Sequence, residues 1–174
     1  TDGGASWLKV SSNNETHNVT AIDQDPTNPD VWYYGTGELS GNSATDAGGW
    51  YFGNGMWKST DNGQTWNALP STQPGGLYQY DGAWDYITRI VVHPVTGDVY
   101  ATVGNAVQRS QDDGATWEVV LGADDYVALV DLIITPNGTL YAAFPGSDPF
   151  EGVWRSTTGN NGDWTKIAGG GSAT

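Results

Sequence analysis

The sequence contains no cysteine, so neither a disulfide framework nor a thiolate metal site is open to it. Cations are scarce: six Lys and Arg stand against twenty Asp and Glu, a formal net charge of −14. Such a chain lacks the cationic surface that displaces counterions from nucleic acid, and anionic membranes repel it. No apolar run approaches the roughly 18 residues needed to cross a bilayer, which argues against membrane insertion. Leu, Ile, Val and Phe total only 31 of 174 residues, a level that with this charge borders on disorder. Nine Trp and nine Tyr reverse that reading, because each buried aromatic removes roughly 150–250 Å² from water. Histidine is limited to His17 and His93, too few nitrogen ligands for an expected zinc site. The chain should fold as one domain's worth of protein.

What it has in quantity is repetition. Ser59 to Trp66 reads S-x-D-x-G-x-T-W, and so does Ser110 to Trp117. Asp2, Gly3, Gly4, Ala5, Ser6 and Trp7 repeat the same motif without its opening serine. Ser156 to Trp164 (STTGNNGDW) is a degenerate copy that lacks the Asp at its place. The four motif tryptophans, Trp7, Trp66, Trp117 and Trp164, are spaced by 59, 51 and 47 residues. A period of that size signals a repeat architecture.

The intervening segments repeat too. Val19 to Ile22, Ile90 to His93 and Leu132 to Thr135 each run toward a proline and a turn. Second runs follow at Val31 to Tyr34, Val99 to Thr102 and Leu140 to Ala143. Third runs (Met56 to Ser59, Val107 to Ser110, Val153 to Ser156) lead into the motifs, and fourth runs follow them. Short β-branched and aromatic runs bounded by Gly, Pro, Asn and Asp predict strands, and four per roughly 50 residues predict a propeller blade. The expected fold is therefore all-β, a partial β-propeller of four-stranded antiparallel blades. Residues 1–10 are expected to hold the last strand of a preceding blade (Trp7 to Val10). Blades are expected over 18–70, 86–121 and 127–168. Propellers close with roughly 4–8 blades, so three imply a piece of a longer polypeptide whose remaining blades are partners.

The S-x-D-x-G-x-T-W signature resembles the Asp-box, or BNR repeat, of sialidases, xyloglucan-active glycosidases, sortilin-type receptors and photosystem-assembly propellers. The run Trp32 to Glu38 with Gly53 to Trp66 looks most like large secreted bacterial BNR-repeat proteins of glycosyl-hydrolase type. The resemblance implies that the motif closes the turn between the third and fourth strands. Asp2, Gly4, Trp7, Ser59, Asp61, Gly63, Thr65, Trp66, Ser110, Asp112, Gly114, Thr116 and Trp117 are then structural: Asp accepts backbone N–H bonds across the turn and Gly supplies positive φ. It also implies an extracellular or cell-surface location. A sialidase is excluded, because that resemblance implies three arginines around a carboxylate, and Arg109 and Arg155 are taken up in third strands.

Loops joining strands two and three, and those joining a fourth strand to the next first strand, share one face. Three of these loops are long and rich in aromatics and acids. Residues 36–55 hold Glu38, Asp46, Trp50, Tyr51 and Phe52. Residues 70–86 hold Tyr78, Tyr80, Asp81, Trp84 and Asp85, and residues 145–152 hold Asp148, Phe150 and Glu151. Aromatic rings stack on pyranose C–H faces and acids bind hydroxyls, so Trp50, Tyr51, Tyr78, Tyr80 and Trp84 are candidate ligand-binding residues. Thr45 to Gly49 is similar to the T-D-x-G-G stretch that holds a catalytic Asp in xyloglucan-active propellers, without the aromatic-then-Arg continuation. Asp46 with Glu38 or Asp85 is the candidate carboxylate pair that glycoside hydrolysis needs. No cofactor is expected; calcium is possible at Asp23 with Asp25, or at Asp124 and Asp125 with Asp131. The leading function is a non-catalytic binding or scaffold module that contacts glycan or a protein partner, and the alternative is part of a xyloglucanase-like glycoside hydrolase.

Overall fold

The computed structural model describes residues 3–8, 18–41, 49–73, 75, 79–123, 129–146 and 149–169. It is all-β, with three four-stranded antiparallel sheets in which sequence neighbours pair in order. Blade I contains β1 (Val19–Gln24), β2 (Trp32–Thr36), β5 (Met56–Ser59) and β6 (Asn67–Ala68). Between its second and third strands, β3 (Glu38–Gly41) and β4 (Gly49–Tyr51) form a separate hairpin. Blade II is β7 (Ile87–Val92), β8 (Val99–Val103), β9 (Asn105–Ser110) and β10 (Glu118–Ala123). Blade III is β11 (Asp131–Ile134), β12 (Leu140–Phe144), β13 (Gly152–Ser156) and β14 (Thr165–Ala168). Three such blades side by side make a partial β-propeller. Among the described residues no helix is long and apolar enough to cross a membrane.

The first strands of the blades lie next to one another and are tied by side chains. Thr20 Oγ1 donates to the Ile87 carbonyl at 2.6 Å, and Thr88 Oγ1 to the Val130 carbonyl at 2.7 Å. Asp23 accepts the Val92 N–H at 2.9 Å across the first boundary. Apolar cores fill the spaces between blades. Ala21, Tyr33 and Met56 of blade I meet Ile87, Val92 and Val99 of blade II. Tyr100, Val107 and Leu121 of blade II meet Leu132, Leu140 and Phe144 of blade III. Each sheet is thus held by its neighbours rather than by a core of its own.

The two S-x-D-x-G-x-T-W segments form near-identical turns between third and fourth strands. Ser59 Oγ donates to Asp61 at 2.8 Å and accepts the Gly63 N–H at 2.9 Å. Asp61 in turn accepts the Thr65 N–H at 2.8 Å and the Thr65 hydroxyl at 2.6 Å. Ser110, Asp112, Gly114 and Thr116 repeat each of these bonds one blade on. The turn forces positive φ on two successive residues, Asn62 with Gly63 and Asp113 with Gly114; asparagine, aspartate and glycine tolerate that region best. In the degenerate copy the carboxylate comes from Asp163, which accepts from Thr158 Oγ1 at 2.8 Å and Asn160 Nδ2 at 3.1 Å.

The hydrogen bonds from Thr65 and Thr116, above all from their hydroxyls, hold the Asp61 and Asp112 carboxyls down at about 2, from 3.8. A carboxyl whose folded value is depressed adds stability above its unfolded value and loses it as pH falls through the folded one. Stability is therefore expected to drop between pH 3.8 and about 2. The D61N/D112N double variant should show a smaller drop in melting temperature over that window. An unchanged acid transition in the variant would contradict this account.

The expected strand at Trp7 to Val10 is not found in the part described. Residues 3–8 form a turn and extended coil, with Trp7 91% and Leu8 87% exposed. A fourth strand needs the third strand of its own blade as ladder partner, and none of the three sheets offers that edge. Asp2, Lys9 and Val10 lie outside the described residues.

Candidate functional site

Alternation of strand direction puts the β3–β4 hairpin and the connection from β6 to β7 on one face. Their bases are pinned by side-chain bonds to the backbone. Thr36 Oγ1 donates to the Gly55 carbonyl at 2.8 Å and accepts the Asn54 N–H at 2.7 Å, closing the hairpin's neck. A short 3-10 turn at Pro70–Thr72 follows β6, and Thr72 Oγ1 accepts the Met56 N–H at 2.8 Å. Gln73 Nε2 reaches the Asn54 carbonyl at 2.8 Å. The second 3-10 turn, Ala83–Asp85, leads into β7.

This second turn meets the hairpin through backbone. The Gly53 N–H donates to the Asp85 carbonyl at 2.9 Å, and Gly37 lies so close that a Cβ there would come within 1.7 Å of that oxygen. Three rings then close over the junction. Phe52 lies 6.2 Å from Tyr80 and 5.9 Å from Tyr86, and Tyr80 stacks on Tyr86 at 6.1 Å. Tyr86 is buried, and burial with the nearby Asp85 charge pushes its hydroxyl up to about 12. Tyr80 remains 55% exposed and Tyr51, at the end of β4, 42% exposed. The result is a platform on which Tyr80 is accessible, over a base of half-buried Phe52 and buried Tyr86. Phe52 and Tyr86, which form that base, stood outside the candidate binding set. Each closes a loop, and only the fold shows that the two loops close on one another.

The candidate carboxylates are placed very differently from one another. Asp85 is fully buried, and its Oδ2 accepts the Asp81 and Gly82 N–H groups at 2.7 and 3.1 Å, so it holds its own turn together. Burial raises its pKa, and the two backbone bonds oppose that shift. Oδ1 is buried with no hydrogen-bond partner among the described residues. Glu38 is half-buried in β3, opposite Tyr51 in the ladder and next to the Gly37 that abuts Asp85. Asp81 is exposed beside Tyr80. Asp46 and Tyr78 lie outside the described residues, and Trp50 has its backbone in β4.

Trp84 turns away from the tyrosines. Its ring makes an edge contact with Trp117 at 5.0 Å and packs on the apolar core between blades I and II. The loop of blade III is also separate: Phe150 packs against Phe144 and Trp154. There a cleft of about 310 Å³ is lined by Phe150, Trp154 and Trp164 and shares no residue with the tyrosine platform. Of the six cations, Lys58, Arg89 and Arg109 are in ion pairs on other parts of the blades. Among the described residues no three His, Cys, Asp or Glu side chains converge as metal ligands. Asp23 is bonded to the Val92 and Gln24 N–H groups and Asp25 to Thr27, while Asp124 and Asp125 lie outside the described residues. Chemically, the platform suits a neutral, hydroxylated ligand with apolar C–H faces.

No family model matches the chain. Among curated proteins it is 32% identical over 137 residues to the xyloglucanase Xgh74A of Acetivibrio thermocellus, a match over 66% of this chain and 16% of that protein. A xyloglucanase from Paenibacillus sp is likewise 32% identical over 137 residues, covering 67% of this chain and 13% of that protein. The chain thus spans about a sixth of the length of the first relative and about an eighth of the second. Among solved structures, an ancestral GH74 enzyme superposes with a TM-score of 0.61 at 21% identity, over 87% of this chain and 20% of that one. YCF48 bound to D1 peptide gives 0.50 at 16% identity, over 88% of this chain and 42% of that one. Both structural matches support the propeller fold.

Proposed function

We propose that these blades belong to an extracellular, polysaccharide-directed propeller protein, and that their long-loop face binds a β-glucan such as xyloglucan. The observation that carries this is the Phe52–Tyr80–Tyr86 ring cluster, which fixes the exposed Tyr80 ring. A ring held by its neighbours loses little entropy when a sugar stacks on it, so more of the contact energy appears as affinity. Asp81 and Glu38 supply acceptors for sugar hydroxyls. The negative surface keeps such a module soluble among neutral polysaccharides. The similarity to xyloglucanases supports this choice of ligand.

Binding without turnover is the primary reading, because Asp85 is sealed under its own turn. The similarity favours a second reading, in which the parent protein hydrolyses the glucan with Asp46 and Glu38 contributing carboxylates. Titrating the chain with a xyloglucan oligosaccharide by calorimetry separates these from a purely structural role. Saturable binding is expected, and Tyr80→Ala should weaken it about tenfold, or about 1.4 kcal/mol. No saturable binding, or equal binding by the variant, would remove the platform from consideration. Release of reducing ends that disappears in Asp46→Asn would establish the hydrolytic reading instead.

A further inference from the structure

The two boundaries between blades repeat one device. In blade I, Lys58 faces Tyr33 across the β2–β5 ladder, and its Nζ lies 5.4 Å over that ring. The same Nζ reaches Asp113, in the third-to-fourth-strand turn of blade II, at 3.3 Å. In blade II, Arg109 faces Tyr100 across β8–β9 and covers that ring at 5.6 Å. Its Nη1 reaches Asn160, in the corresponding turn of blade III, at 2.8 Å. A third-strand cation thus sits on a second-strand tyrosine and is capped by an Asx oxygen from the next blade. Such charge-assisted bonds are stronger than neutral ones and fix orientation.

Blade III carries the same two residues in the same register, Tyr141 opposite Arg155. Here the cap is absent, and the Arg155 side chain makes no hydrogen bond or ion pair among the described residues. The surrounding positions differ in the same sense. On blade II, Val91, Tyr100, Thr102, Val107 and Arg109 are all buried against blade III. Their ladder equivalents on blade III are Ile133, Tyr141, Ala143, Val153 and Arg155, all exposed or half-buried. Ile133 is 55% exposed where Val91 is 8%. Around them runs an apolar crevice of about 250 Å³. Contiguous exposed apolar surface of this kind marks an interaction face. The first-strand hydroxyl link does not continue, because Val130 stands where Thr20 and Thr88 stand, so orientation would rest on Arg155.

We propose that this face of blade III receives one further four-stranded blade of a longer polypeptide, whose third-to-fourth-strand turn sets an Asp or Asn oxygen on Arg155 above Tyr141. The ground is continuity with the two boundaries already built, independent of whether a glycan binds. The test keeps the whole chain and joins a second copy of residues 124–169 after residue 169. Arginine modification by phenylglyoxal is then mapped by mass spectrometry, with buried Arg109 as internal reference. Arg155 is expected to react roughly tenfold more slowly than in the unextended chain, approaching Arg109. Asn160→Ala in the added copy should restore its reactivity. Unchanged reactivity at Arg155 would overturn the proposal, and so would an added blade that stays protease-labile, since a fitting face would order it. A dimer of the unextended chain that Arg155→Glu disperses would assign the face to a second copy and overturn it equally.

Discussion

Arg109→Ala is expected to lower stability by about 3–5 kcal/mol, the usual cost of removing one partner from a buried ion pair. Arg109 and Asp98 are 8% and 7% exposed, and the guanidinium binds Asp98 through both Nε and Nη2. Alanine would strand the Asp98 carboxylate away from water, uncover the Tyr100 ring and release Asn160 of the next blade. For a chain of this size that corresponds to roughly 6–20 °C in melting temperature. Urea unfolding, read at the midpoint with the slope checked, measures it. The pair replacement Arg109→Met with Asp98→Leu should recover much of the loss, because no charge is then left buried. Arg89 and Asp131 offer the contrast: they sit 2.6 Å apart with both side chains 55% exposed. Screened pairs of that kind contribute about 0–1 kcal/mol, so Arg89→Ala should do little. An Arg109→Ala cost no larger than that of Arg89→Ala would show that burial does not govern this pair.

Gly37→Ala should cost about 2–5 kcal/mol, combining left-handed strain with overpacking. Gly37 has φ of +98°, and its missing Cβ position is 1.7 Å from the Asp85 carbonyl oxygen. Both sides of that contact are backbone, so no rotamer change relieves it. The Ala83–Asp85 turn would have to lift from the hairpin, breaking the Gly53–Asp85 bond and parting Phe52 from Tyr80 and Tyr86. Loss of the tyrosine platform should therefore accompany the loss of stability, with weaker glucan binding and a changed near-ultraviolet circular dichroism. Gly82→Ala is the control: nothing lies within 4 Å of its Cβ position, and its φ of 165° is ordinary extended backbone. It should stay within about 0.5 kcal/mol of the parent. Equal effects from both substitutions would mean that the hairpin contact does not organise the site.

The sheets were legible because their signals are local. Alternating β-branched and aromatic residues define a strand face, and Asp61, Gly63 and Thr65 close a turn among themselves whatever surrounds them. The stretch from Trp7 was harder to read for the complementary reason: a strand is stable only with a partner, and its own residues do not reveal where that partner lies. Asp163 escaped notice because an extra residue in its turn moves the carboxylate from the start of the motif to its end. At the candidate site, long loops rich in aromatics were visible, yet their division of labour was not. Tyr80 faces solvent while Trp84, four residues on, packs against Trp117. Composition makes the two rings equivalent, and only the packing separates them.

Sequence alone determined the all-β class, the four-strand repeat and the chemistry of the turns, since these depend on residues within a few positions of one another. The tertiary structure decided which side chains are buried and which are left open. The turn that buries Asp85 is abutted by a glycine 48 residues away in sequence. Arg109 is capped by a turn 51 residues on, while the side chain of Arg155, its equivalent, has no such cap among the described residues. Burial is a property of what lies across a boundary, and two equivalent stretches of sequence acquire different environments when their boundaries differ.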